Sequence, residues 1–375
     1  MVKGLSSPSI PTTIVTEHPD HSRLVSMGPH TGYLQRTVAR GGHSYIQRTY
    51  VRGGVRSSYL YATYNYHGLV LDNYVPAYAY APAFYGWAYY PWDSPVAYAW
   101  GWAGAPWYWQ YGGNYFSPWA TYLSGAYWLT DYYLGQTLAS AYQEQIQPGQ
   151  EQAEDGQPAD DDQDAGQLQS DGTSAEGDTP LSPEIKNAIA QEVEQQLAYE
   201  NAAATQPAQA AQFSGLPQVL QPGHVFVVQP GHVFVVDQAL SVATADQQNC
   251  GLSGGDALQL AGPPAADSPV AQLIVASSRR ADCPAGIQVT VALQDLQEMQ
   301  NNFRAQLDTG LKALRDQQGH SGFPGAPQSA IAPPPIPAPD VPPDSANIQA
   351  MLQAQQQQAN QAEKQVTQLA FAAQP

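Results

Sequence analysis

Basic residues are scarce. Lysine and arginine supply 14 of 375 residues against 32 aspartates and glutamates, a net charge of −18. A body so acidic excludes nucleic acid as its partner, because neutralising a phosphate backbone takes clustered Lys and Arg. Charge of either sign is missing altogether between residues 94 and 130. That gap exceeds the ~20 apolar residues that suffice for a spanning helix, yet Pro95, Pro106, Pro118 and Gly112-Gly113 interrupt it. It is built from Tyr and Trp rather than Leu, Ile and Val, and such rings favour interfaces over the bilayer centre. Membrane contact is therefore expected to be peripheral at most. Nor does the continuous apolar run of an export signal follow Met1 and Lys3.

Cysteine is limited to Cys250 and Cys283, both inside one small β-rich stretch and each followed by turn residues and a strand-like run. Two cysteines so placed read as one disulfide of an oxidising compartment; two buried free thiols are the alternative.

What the chain does contain is organised in blocks. The seven Lys and Arg of residues 1–72 face three Asp and Glu, so the head is basic and can pair with the acidic segment further on or with an anionic surface. Within the head a twelve-residue unit repeats, YLQRTVARGG from Tyr33 and YIQRTYVRGG from Tyr45. Tyr, Ile, Thr and Val suit a pleated surface, and the Gly-Gly pairs supply the positive φ of tight hairpins. A third strand over 58–66 completes a meander. Arg-Gly-Gly also occurs in RNA-binding arrays, but two copies at strand ends read as turns.

All eight tryptophans follow, within residues 74–133. The expected arrangement is an irregular aromatic layer packed on the meander. The alternative is an exposed platform made by Trp87, Trp92, Trp100, Trp102, Trp107 and Trp109. Apolar spacing predicts a helix over 119–145, with Leu123, Tyr127, Leu134, Leu138 and Tyr142 as its stripe. Residues 148–181, rich in Asp, Glu, Gln and Gly, read as an acidic disordered linker. Ser182-Pro183-Glu184 then opens a helix over 182–205, with a capping hydroxyl, a first-turn proline and an acid near the positive end of the dipole. Its stripe of Ile185, Ile189, Val193 and Leu197 is expected to pack on the β domain that follows.

That domain spans 215–319. Strands are expected at 232–236, 240–243, 257–261, 271–277 and 287–293, which suggests a small β-barrel closed by an amphipathic helix through Leu296, Met299, Phe303, Leu307, Leu311 and Leu314. The octapeptide QPGHVFVV is written twice over 221–236. The second copy, joined directly to Asp237, is the one expected to form the first strand. The Pro- and Gln-rich tail, 320–375, favours polyproline II in its proline-rich part and allows a helix in its Gln/Ala-rich end, and it is expected to form no core.

At PAFYGWAYYPW, WLTDYYL, SPEIKNAIAQEVEQQL, HVFVV, CGLSGGDALQL and DCPAGIQVTVALQDLQEMQ the chain resembles a group of uncharacterised secreted proteins of soil bacteria, acidobacterial in type. The likeness covers most of residues 10–320. It implies an exported location and a layout, and it transfers no functional residue. Relatives usually carry an export signal and a single HVFVV, so the doubled octapeptide reads as a tandem duplication.

Four local patterns imitate chemistry. His18, Asp20 and His21 lie close together in what reads as a flexible N-terminus, residues 1–30. Asp308-Thr309-Gly310 matches the aspartic-protease triplet but falls on a helix stripe. Ser253-Gly254-Gly255-Asp256 lacks the lysine of a phosphate loop, and the aspartate run from Asp160 lacks the glycine and glutamate of a calcium loop. The overall expectation is an α+β multidomain protein: an N-terminal antiparallel β meander with aromatic layer and helix over 31–147, then linker, helix and barrel, without metal or cofactor. Its expected role is that of an exported, non-enzymatic cell-envelope protein, structural or adhesive, in the periplasm or outside the cell. A binder of carbohydrate or peptidoglycan is the second reading and a hydrolase of unknown type the third; a cell-wall glycan or another envelope protein is the expected partner.

Overall fold

The computed structural model describes residues 14–28, 31–40, 42–52, 55–66, 68–146, 179–205, 231–265, 268–279 and 282–327, with further residues between 348 and 361. Six strands, β1 (Ile14–Glu17), β2 (Arg23–Gly28), β3 (Thr31–Arg40), β4 (His43–Arg52), β5 (Val55–Tyr66) and β6 (Leu69–Val75), form an antiparallel meander in chain order. The repeat unit accounts for β3 and β4. Repeat-equivalent residues nevertheless fall on opposite faces: Gln35 pairs with Arg48 and Arg36 with Gln47, and side chains alternate along a strand. Arg48 therefore points inward while Arg36 points out.

The flexible N-terminus expected over residues 1–30 is corrected for its second half, since β1 and β2 form a hairpin there. The Asp20 carboxylate accepts hydrogen bonds from the Ser22 backbone N–H and hydroxyl at 3.0 and 2.7 Å, and His21 takes a positive φ of 63°. His18, Asp20 and His21, neighbours in sequence, thus make a turn, with the His21 N–H donating to the His18 carbonyl at 2.9 Å.

Helix α1 (Pro82–Tyr89) and helix α2 (Gly125–Ile146) frame the aromatic region. The predicted start of α2 at residue 119 is wrong by six residues. The chain before Gly125 is held in extended form by Val96, which exchanges backbone bonds with Tyr122 at 2.9 and 2.8 Å, and by Trp92, which donates to the Leu123 carbonyl at 2.7 Å. Leu123, assigned to the buried stripe, is 50% exposed.

Helix α3 (Pro183–Thr205) starts as expected, with Ser182 Oγ accepting from the Ile185 N–H at 3.3 Å. Ile189, Val193 and Leu197 are buried in it. Their partners correct the expectation, for they join a core of α1 and α2 aromatics as well as β7 (Val233–Val235). The acidic stretch lies outside the described residues up to 178. Its end is ordered: Thr179 pairs with Ser278, and the Leu181 N–H donates to the Tyr115 carbonyl at 2.9 Å.

The remaining strands are β8 (Leu240–Thr244), β9 (Asn249–Leu252), β10 (Ala257–Leu260), β11 (Val270–Ser277) and β12 (Gln288–Ala292). Sequence spacing missed β9. With β7 they form one antiparallel sheet in the order β7-β10-β11-β12-β8-β9. Closure into the expected barrel is not shown: the sheet curls, but among the described residues β7 and β9 stand at its two ends and do not pair. Curling follows from chain length. β7 and β8 are four strand spacings apart, ~19 Å if flat, but the short connection from Val235 to Leu240 reaches at most ~18 Å.

The second octapeptide copy forms β7, as expected; the first lies outside the described residues. Alternation explains its unbroken VFVV run. Phe234 and Val236 enter the interior of the second sheet, while Val233 and Val235 enter the aromatic core, so both faces are buried and both need apolar side chains. Helix α4 (Leu293–Gln317) does the same on a larger scale. Leu293, Leu296 and Met299 meet the second sheet, Phe303, Leu307, Leu311 and Leu314 meet the aromatics, and Ala305 meets Tyr61 and Tyr74 of the meander.

Cys250 and Cys283 are bonded, with Cα atoms 5.2 Å apart, and tie β9 to the turn before β12 inside the second core. Replacing both by alanine is expected to lower the unfolding free energy by roughly 3–4 kcal/mol. Urea unfolding of the parent with and without reductant measures it; an unchanged midpoint would mean that the bridge contributes nothing.

The helix allowed in the tail is present at residues 350–355, and the expectation of no core is corrected: Ile348 and Leu352 are fully buried against Leu24, Leu34 and Val51 of the meander's outer face. The proline-rich residues 328–347 lie outside the described residues.

Candidate functional site

The six tryptophans singled out from the sequence do not form an exposed platform. Trp100 and Trp107 are buried, Trp87, Trp92 and Trp102 are half-buried, and only Trp109 projects, at 69% exposure. The expected packing of this layer on the meander is corrected too: the aromatic cluster is completed by α2, α3, α4 and β7, with α4 standing between it and the strands. The rings are too numerous to leave in water. Five of the six enclose one another, as in Trp100 stacked between Trp102 at 5.2 Å and Trp128 at 5.1 Å, and Trp87 against Trp92 at 5.5 Å.

Buried indoles need partners for their N–H groups. Trp100 Nε1–H donates to the Tyr122 hydroxyl at 2.6 Å, and that hydroxyl donates to Asp131 Oδ2 at 2.8 Å. The same oxygen accepts the Trp119 backbone N–H at 2.7 Å. Asp131 Oδ1 lies 2.7 Å from the Lys186 ammonium, which also donates to the Ser117 carbonyl at 2.6 Å and sits 3.6 Å above the Trp119 ring. Asp131 is completely buried and Lys186 nearly so. Burial pushes the Asp131 carboxyl up and the Lys186 ammonium down from their ordinary values, and their mutual attraction opposes both shifts.

Helix α3 carries two more such clamps. Glu192 pairs with His232, beside β7, at 2.8 Å, and Glu200 with Arg304 of α4 at 3.5 Å. One helix is thus tied by polar side-chain contacts to three different elements. A fourth cluster joins the meander to α4: Arg48 lies 2.7 Å from both Asp72 and Glu298, with its guanidinium over the Tyr61 ring at 4.5 Å.

Asp308 is a second buried carboxyl changed by its surroundings. Its Oδ2 accepts the Tyr74 hydroxyl and the Ala77 N–H, each at 2.8 Å. Burial pushes its pKa up to about 7, against the lowering effect of those bonds. A cavity of ≈ 20 Å³ bounded by Tyr85, Gln196, Glu200, Arg304, Asp308 and Leu311 adjoins it, room for about one water molecule. The protease-like triplet is accounted for residue by residue: Asp308 ties α4 to the chain after β6, Thr309 Oγ donates to the Ala305 carbonyl at 3.0 Å, and Gly310 admits α2, since a Cβ there would lie 2.8 Å from Leu129 Cδ2. Ser253-Gly254-Gly255-Asp256 likewise makes the turn into β10, with Gly255 at φ +100° and the Asp256 carboxylate accepting from the Ser253 and Arg279 N–H groups at 2.8 and 2.7 Å.

The raised pKa gives a pH dependence. Unfolded, the group titrates near 3.8; folded, near 7. Its proton is therefore held preferentially by the folded state between these values, so its contribution is full below pH 4 and is lost as pH rises through 7. Asp308→Asn is expected to gain several degrees in Tm relative to the parent as pH is raised from 4 to 7. Parallel melting curves would refute this assignment.

Among the described residues no group of three or more His, Cys, Asp or Glu could hold a metal ion, and no helix is long and apolar enough to cross a membrane. No family model, curated protein or solved structure matches the chain. Sequence reasoning missed Asp131, Lys186, Arg48 and Tyr122. A signal for the first pair existed: Asp131 ends the uncharged run, and Lys186 is the sole Lys or Arg between Arg56 and Arg279.

Proposed function

We propose that the protein is an exported, non-enzymatic cell-envelope protein with a structural or adhesive role, placed in the periplasm or outside the cell. The observation that carries the reading is the Cys250–Cys283 bridge, which uses both cysteines of the chain and lies inside the second core; such a bond persists in oxidising compartments and is rare elsewhere. The aromatic residues support the same role. They are spent on internal stacking, and the charges of α3 on internal clamps, which is how a rigid scaffold is built. Fractionation of the native cells and attachment of a deletion strain to surfaces test the reading together. Protein in the envelope and weakened attachment are expected. Protein confined to the cytosol would overturn it.

A second reading, binding of an uncharged cell-wall glycan, is favoured by one observation. Trp109 is exposed on a stretch without a charged residue, and a free indole face offers broad contact to a sugar ring. A glycan array with the parent and Trp109→Ala distinguishes the two readings. Binding lost in the variant supports the second.

A further inference from the structure

The outer face of the meander carries a seat built for a helix. Leu24 and Leu34 are directly opposite in one row, and Ser26, Gly32 and Val51 in the next. Gly32 leaves the gap that Leu352 fills: a Cβ at Gly32 would lie 2.6 Å from Leu352 Cδ2. Ile348, Leu352 and Gln355 are spaced to share one helix face. The first two are fully buried, and Gln355 Nε2 donates to the Ile14 carbonyl at 3.2 Å and to Thr16 Oγ at 2.7 Å. The hold is specific yet small. Two fully buried side chains favour it, against the entropy of ordering every residue of the helix. An empty seat would expose Leu24, Leu34 and Val51, an apolar patch over two adjacent rows that the segment now covers.

We infer that this seat is a helix-binding site, and that it takes residues 348–355 of a second copy of the chain as well as its own. The ligand is identical in both cases, so the same contacts form in either. The segment is joined to α4 through 328–347, a stretch with seven prolines, so what decides between the two is the local concentration of tails. A tail given to a neighbour whose own tail passes onward is a heterologous contact, which extends into chains where a reciprocal exchange closes a dimer.

The test uses the full chain. Isotope-heavy protein with Met351 replaced by photo-reactive p-benzoylphenylalanine is mixed with unmodified light protein and irradiated. Peptides that join a heavy tail to a light seat over residues 23–34 report exchange; heavy–heavy peptides in the absence of light protein report that the tail is seated. With an effective concentration on the order of 1 mM for a tethered segment, heavy–light products should be about 1% of the total at ~10 μM and about half near ~1 mM, and should vanish when the heavy chain also carries Leu352→Asp. Only heavy–heavy products at every concentration in the mixture would overturn the inference, as would no cross-link to the seat at all.

Discussion

Lys186→Met will destabilise the protein by about 3–5 kcal/mol, the cost of leaving one member of a buried ion pair without its partner. Asp131 would keep its bonds from Trp119 and Tyr122 but lose the ammonium 2.7 Å away. Its carboxylate, wholly enclosed by rings, would have to take up a proton or admit water. The control is the double variant Lys186→Met with Asp131→Asn, which removes both charges and should recover a large part of the loss. Denaturant unfolding of the three variants measures it. A single variant within 1 kcal/mol of the parent would show that the pair is ornamental and that α3 is held by Ile189, Val193 and Leu197 alone.

The second large effect separates core tryptophans from the exposed one. Trp100→Ala removes a ring stacked on both sides and strands the Tyr122 hydroxyl it donates to, so the expected cost is ~3–5 kcal/mol. Trp109→Ala removes a ring that is 69% exposed, and its expected cost is within ~0.5 kcal/mol. Paired thermal melts decide. Equal losses for the two would mean that the aromatic layer is not packed as described. The same contrast governs the glycan reading, because loss of binding in a core variant reports unfolding, whereas loss in Trp109→Ala reports contact.

The fold was legible in the sequence where local chemistry fixes it. The Gly-Gly repeat marked β3 and β4, the Ser182-Pro183-Glu184 cap marked the start of α3, and alternation marked β11. It was illegible where distant partners decide. Nothing local to β9 shows a strand, since Cys250 and Leu252 are buried only because Cys283 and the curl of the sheet cover them. The start of α2 was misplaced because the bridge from Val96 to Tyr122 outweighs a helical spacing. The tail was dismissed because a Gln- and Ala-rich helix with two apolar anchors cannot hold itself, and its seat lies more than 300 residues earlier. The packed aromatic layer was expected and is present; its partners were not legible, because a count of rings says nothing about which will enclose which.

The proposed exported location requires that the Cys250–Cys283 bridge exist in the native protein, and peptide mapping tests this most directly. Protein isolated from native cells after immediate acid trapping and alkylation should yield Cys250 and Cys283 as one linked peptide pair, free of label. Alkylated thiols at both positions would contradict the exported location and, with it, the proposed role.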